Sequence, residues 1–114
     1  MLKQLTFSAL MLSIAFPASV LAEEINIYSA RKEALIKPLL DQFSEKSGIK
    51  INLVTGKAGA LQKKLELEGA NTPADILITT DAGNLHRAKA KDLLQVVDSP
   101  ALENAIPENL RDTD

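Results

Sequence analysis

The chain has 114 residues, no cysteine and a formal net charge of −2, with a quarter of its residues charged. Such mild acidity supplies no basic face for nucleic acid or for an anionic membrane surface. Without cysteine there is no disulfide framework, so stability in an oxidising compartment has to come from burial of apolar side chains alone.

Residues 1–22 read as a leader and not as part of the fold. Lys3 gives a positive start, Leu5 to Phe16 is largely apolar and uncharged, Pro17 breaks the run, and Val20-Leu21-Ala22 presents the residue types a signal peptidase reads. The apolar stretch is shorter than the roughly 20 residues a membrane span needs, and the absence of cysteine excludes a lipid anchor at the new terminus. Cleavage after Ala22 leaves residues 23–114, beginning Glu23-Glu24, and loss of Lys3 moves the formal charge from −2 to −3. The expectation is an exported chain, released into a bacterial periplasm.

The remaining chain alternates between two periods. Glu24-Ile25-Asn26-Ile27-Tyr28 alternates polar with apolar side chains and predicts a first strand ending at Tyr28-Ser29. Leu35, Ile36, Leu39, Leu40 and Phe43 recur at helical spacing, with Gly48 placed where a left-handed residue closes the helix. Pro38 fits only if the regular helix begins shortly before it or kinks there. Ile49, Ile51 and Leu53 predict a second strand running to Val54-Thr55-Gly56, and Ala58, Leu61 and Leu65 share one face of a second helix stopped at Gly69. The run Ile76-Leu77-Ile78, entered through Pro73 and Asp75, predicts a strand buried on both faces. Thr80 or Asp81 then caps a third helix with Leu85 and Ala88 on its inner side. Leu94 to Val97 predicts a short fourth strand, and Ser99-Pro100 starts another helix.

Strands alternating with helices in units this short predict an α/β fold whose parallel sheet is built from βαβ connections. In a parallel sheet all strand C-termini share one edge, where ligands bind in open α/β folds. Tyr28-Ser29-Ala30-Arg31, Thr55-Gly56-Lys57 and Thr80-Asp81 are therefore expected to converge. Hydroxyls and cations beside helix N-termini make an anion site, which points to Ser29, Arg31, Lys32 and Thr80. Carboxylate and phenolate oxygens are hard donors for a hard metal ion, which draws in Glu33, Asp81 and Tyr28. The plainer alternatives are that Asp81 only caps a helix and that Tyr28 only packs. Enzyme signatures are missing: Gly56-Lys57-Ala58-Gly59 completes neither a dinucleotide fingerprint nor a phosphate loop, and there is no Gly-x-Ser-x-Gly elbow. The single histidine, His86, lies within the third helical pattern and reads as a surface or packed residue. Glu66 and Glu68 stand among lysines on the second helix and read as a solvated face.

Several runs carry a resemblance. Asn26-Ile27-Tyr28-Ser29-Ala30-Arg31, Lys46-Ser47-Gly48-Ile49-Lys50-Ile51, Glu68-Gly69-Ala70-Asn71-Thr72-Pro73-Ala74-Asp75-Ile76 and Asp81-Ala82-Gly83-Asn84-Leu85 together resemble the periplasmic ferric-iron-binding proteins of ABC importers. The similarity continues through Leu94-Gln95, Asp98-Ser99-Pro100 and Ile106-Pro107. It implies a type II periplasmic binding protein, with two α/β lobes joined by a hinge and the ion held between them. Residues 23–114 would then be the N-terminal portion of the first lobe, truncated at Arg111-Asp112-Thr113-Asp114. The resemblance further implies Fe(3+) as cargo, with a synergistic anion, an ABC permease and its ATPase in the inner membrane as partners, and action as a monomer. Members of the family often place a His, and sometimes a Tyr after it, just beyond the first strand as iron ligands. Here those positions hold Lys32, a poor ferric ligand, and Glu33, which offers oxygen. A carboxylate after the third strand serves in some relatives, and Asp81 stands there. The adjacent tyrosines that dominate iron binding in the family belong to the second lobe.

Three functions follow from these observations. The first is the ferric-binding component of an importer. The second is a binding protein of the same architecture for an oxyanion or another chelated metal, which Arg31 and Lys32 favour. The third, a fragment of a doubly wound enzyme, has no catalytic motif behind it.

Overall fold

The computed structural model describes residues 22–112, so the leader expected over residues 1–22 lies almost wholly outside it. Three strands, β1 (Glu24–Ser29), β2 (Lys50–Thr55) and β3 (Ile76–Ile78), form one sheet in the order β2-β1-β3, with both pairings parallel. The helices α1 (Glu33–Ser47) and α2 (Ala58–Glu68) make the two crossovers, and α3 (Ala82–Ala90) and α4 (Pro100–Ala105) follow. Short 3-10 turns cover Gly69–Asn71 and Glu108–Leu110. The α/β reading and the parallel sheet hold.

The registers explain how the two faces divide. Tyr28 pairs with Val54 and Leu77 across the sheet, whereas Ile27 pairs with Leu53 and Ile76. Successive side chains point to opposite faces, so Tyr28 and Leu77 look one way and Ile27 and Leu53 the other. On the first face Tyr28 packs with Leu61 and Leu65 of α2, with Ala30, Ala74, Leu77 and Leu93 around them. On the second, α1 lies against β2, with Leu40 beside Ile51 and Leu53 and with Ile36 buried. β1 sits in the middle and is the best buried strand, with Ile27, Tyr28 and Ser29 at 4, 2 and 0 % exposure.

Local chemistry sets the ends of the elements. Gly48 closes α1 in the left-handed region at φ 74°, its N–H donating to the Ser44 carbonyl at 2.9 Å. A side chain there would strain the backbone. Gly69 ends α2 with φ 54° and donates to the Leu65 carbonyl. α1 starts at Glu33, so Pro38 falls in its second turn and supplies no amide to the Ala34 carbonyl. α2 and α3 are joined by the buried Gln62, whose Nε2 donates to the Asn84 carbonyl at 2.8 Å, and by an ion pair between Lys91 and Glu66.

Three expectations are corrected. β3 is parallel but not buried on both faces: among the described residues it pairs only with β1, and Ile76 is 43 % exposed. A short apolar run reports β-propensity, whereas its burial depends on neighbours distant in the chain. Leu94 to Val97 forms no strand, since no ladder partner meets it among the described residues, and Val96 and Val97 are exposed. On α3, Ala88 is fully buried as expected, but Leu85 is 44 % exposed. Among the described residues no helix is long and apolar enough to cross a membrane.

Candidate functional site

The three strands end level with one another. Ser29 is paired with Thr55 on one side and with Ile78 on the other. The Ala30 amide donates to the Ile78 carbonyl at 2.8 Å, and the Gly56 amide donates to the Ser29 carbonyl at 3.1 Å. The turns that follow, Ala30-Arg31-Lys32, Gly56-Lys57 and Thr79-Thr80-Asp81, therefore leave the sheet along a single edge. Each leads directly into the N-terminus of a helix, whose first amides lack intrahelical partners and carry positive potential.

Within that edge the predicted residues have distinct roles. Ser29 is fully buried, and its Oγ accepts the Arg31 N–H at 3.1 Å, so the hydroxyl shapes the turn from beneath. Arg31 and Lys32 are exposed and form no ion pair among the described residues. Lys32 occupies the cap position of α1 without a capping side-chain bond, and its carbonyl accepts from Leu35 and Ile36 at 2.9 and 3.2 Å. Glu33 opens α1, and its side chain borders a shallow recess shared with Lys37, Leu40, Asp41, Ile51 and Leu53, on the β2 flank. Lys57 takes the cap position of α2, again with no capping bond from its side chain. Thr80 is exposed in the turn before α3, and the neighbouring Thr79 hydroxyl donates to the Asp81 carbonyl at 3.0 Å.

Asp81 is the N-cap of α3. Its Oδ1 accepts the Asn84 N–H at 2.7 Å and its Oδ2 accepts the Asn84 side-chain amide at 2.6 Å. The backbone and then the side chain of Asn84 hold its carboxyl below the ordinary aspartate range, and the Arg87 guanidinium adds to this. Arg87 is itself fixed by donating to the Asn84 Oδ1 at 2.6 Å. A carboxylate kept ionised at an exposed helix start remains a hard oxygen donor. Among the described residues no three His, Cys, Asp or Glu side chains stand together closely enough to hold a metal ion.

Glu68 departs from the sequence reading, and Tyr28 takes the packing alternative. Tyr28 is 2 % exposed with its ring in the core, and its hydroxyl donates to both Glu68 oxygens at 2.9 and 3.0 Å. Glu68 also accepts from Thr72 Oγ1 at 2.7 Å and pairs with Lys64 at 2.6 Å, while the Lys64 ammonium lies 5.5 Å from the Tyr28 ring centroid. Burial, then the Glu68 carboxylate, push the phenol above its ordinary range, away from the phenolate form a metal would need. Tyr28 is a packing residue. Nor is Glu68 on a solvated face, since its side chain is 20 % exposed at the centre of this network. Glu66, at 25 % exposure, is likewise held, by Lys63 and Lys91. Lys64 and Thr72, each four residues from Glu68, were the signal in the sequence; the phenol that turns the set inward lies 40 residues away.

His86 is exposed on α3. It borders an open groove of about 980 Å³ running from Ala82 past Leu85, Leu94 and Val97 to Arg111, beside the turns and not among them.

Proteins of known kind are similar to this chain in sequence and in fold. Iron uptake protein A1 of Synechocystis is 44% identical over 92 residues, which cover 81% of this chain and 26% of that protein. A solved ferric binding protein from Campylobacter jejuni superposes with a TM-score of 0.76 at 50% identity, over 79% of this chain and 28% of its own. A Trichodesmium protein solved in complex with iron and citrate ligands gives a TM-score of 0.74 at 44% identity over the same shares. The chain spans about a quarter of the length of the relatives it matches. Residues 28–114 match the profile of the bacterial extracellular solute-binding proteins, and the chain belongs to that family.

Proposed function

We propose that this chain forms the ligand-facing edge of a first lobe that takes up ferric ion outside the cytoplasm, in the periplasm, for delivery to an ABC permease and its ATPase in the inner membrane. The observation that carries this is the level ending of three parallel strands, which brings the turns holding Arg31, Lys32, Glu33, Lys57 and Asp81 to one edge of the sheet in a chain similar to iron-binding proteins. Glu33 and Asp81 supply hard oxygen donors. Arg31 and Lys32, unpaired among the described residues, supply positive charge for a carboxylate anion that accompanies the metal, Arg31 in bidentate fashion. Ser29 and Thr80 set and border the turns that carry these groups. The work is capture and release by a monomer, with no bond made or broken in the cargo, which is not an enzyme's task.

The same two cations favour a second reading, an oxyanion or another chelated metal as cargo. A graft separates the two. Residues 23–114 replace the matching region of the Campylobacter jejuni protein, and the folded chimera is titrated with ferric citrate and with phosphate. Ferric binding at the strength of the unmodified relative is the expected result. A chimera that melts as the relative does but takes only the oxyanion, or neither, overturns the iron proposal.

A further inference from the structure

One residue at the polar edge has every polar group committed. The Asn84 N–H donates to Asp81 Oδ1 at 2.7 Å, and its side-chain Nδ2 donates to Asp81 Oδ2 at 2.6 Å. Its Oδ1 accepts from the Arg87 guanidinium at 2.6 Å, and its carbonyl accepts from Gln62 Nε2 at 2.8 Å. Gln62 is 4 % exposed, so Asn84 is anchored from the contact between α2 and α3 while its side chain reaches the third turn. A helix cap asks for less than this. One backbone N–H on one carboxylate oxygen makes the cap. The second bond, from the amide to Oδ2, fixes the rotation of the carboxylate. Each oxygen accepts one of these bonds and keeps a lone pair beyond it. Arg87, further along α3, would otherwise be drawn to the same charge. Its guanidinium is held on the Asn84 oxygen instead, and no ion pair between Arg87 and Asp81 forms among the described residues.

We infer that Asn84 is a positioning residue for the cargo: its amide sets the Asp81 carboxylate in one orientation and keeps the Arg87 guanidinium from closing on it. The inference rests on the reading of Asp81 as an oxygen donor to the metal. Groups that orient a ligating side chain change metal affinity by about 10–100-fold without touching the ion. Capping alone accounts less well for Asn84, because its Nδ2 and Oδ1 bonds satisfy none of the first-turn amides that a cap serves.

The test is a double-mutant cycle in the chimera described above, with ferric citrate as the probe and a chelator as competitor. Asn84→Ala keeps the backbone bond to Asp81 and loses both side-chain bonds. The better helix propensity of alanine offsets that loss, so the melting temperature of the metal-free chimera should hardly move. Ferric affinity is expected to fall roughly tenfold in Asn84→Ala. In the Asp81→Asn background the same substitution should cost nothing further, since Asn84 acts through that carboxylate. Undiminished affinity in Asn84→Ala, beside weakened binding in Asp81→Asn, overturns the inference and leaves the reading of Asp81 standing. An equal loss from Asn84→Ala in both backgrounds overturns it too, because Asn84 would then act independently of Asp81. A chimera that binds no ferric ion, or whose Asp81→Asn form binds undiminished, takes down the reading of Asp81 together with the inference.

Discussion

Asp81 serves as a helix cap and is proposed as a donor to the cargo, and two substitutions separate these roles. Asparagine caps about as well as aspartate but carries no charge, whereas alanine does neither. In the chimera, Asp81→Ala should lower the melting temperature by about 2–8 °C. Asp81→Asn should leave melting of the metal-free protein unchanged and weaken ferric binding by roughly tenfold or more, read by competition with a chelator. Unchanged affinity in Asp81→Asn would leave Asp81 as a cap alone. Tyr28→Phe removes a hydroxyl bonded to a carboxylate and should cost about 1.5–3 kcal/mol in urea denaturation, with ferric affinity in the chimera untouched. The partners of Glu68, led by Lys64 and then Thr72, hold its pKa below the ordinary value. A depressed carboxylate pKa stabilises the fold above the unfolded-state value and loses that contribution as pH falls through the folded one. Stability should therefore decline in acid below about pH 4.3, and Glu68→Gln should flatten that limb. The Asp81 cap was visible in the sequence because a cap is local, two turns of chain at most. The Tyr28–Glu68 bond was not, because Lys and Glu at helical spacing look the same whether they meet water or a buried phenol.

Element boundaries follow from residues that act over a few positions, and these were legible. Gly48 and Gly69 end α1 and α2 where glycine was expected, both at positive φ. Gly48→Ala meets no steric obstacle, since nothing lies within 4 Å of the added carbon. Its cost is then purely that of the left-handed backbone, about 1–2 kcal/mol in chemical denaturation. A larger loss would mean that α1 ends differently from the structure described. Strand identity was legible as well, from alternation in β1 and β2 and from the apolar run of β3. What failed was burial and pairing. Ile76-Leu77-Ile78 carries no mark of standing at a sheet edge, and Leu94 to Val97 has strand composition with no pairing neighbour among the described residues. Both outcomes are decided by which segments meet in space.

At the scale of the molecule, the parallel order β2-β1-β3 turns a sequence scattered over some fifty positions into one polar edge. That convergence was legible because parallel βαβ units leave no other place for the turns. The side from which each group reaches the edge was not, and Glu33 is the instance: it lies at the expected turn, yet its side chain borders the β2 flank. With no three His, Cys, Asp or Glu side chains grouped for a metal among the described residues, the full 114-residue chain should bind ferric ion weakly or undetectably by calorimetry. Tight stoichiometric binding would mean a self-sufficient site. The most direct test of the edge as the ligand-facing surface is an amide NMR titration of the chain with gallium citrate, a diamagnetic stand-in for the ferric complex. The account predicts shifts confined to Arg31–Glu33, Gly56-Lys57 and Thr80–Gly83. Shifts that instead gather along the groove of His86, Leu94 and Arg111, with those turns unmoved, would contradict it.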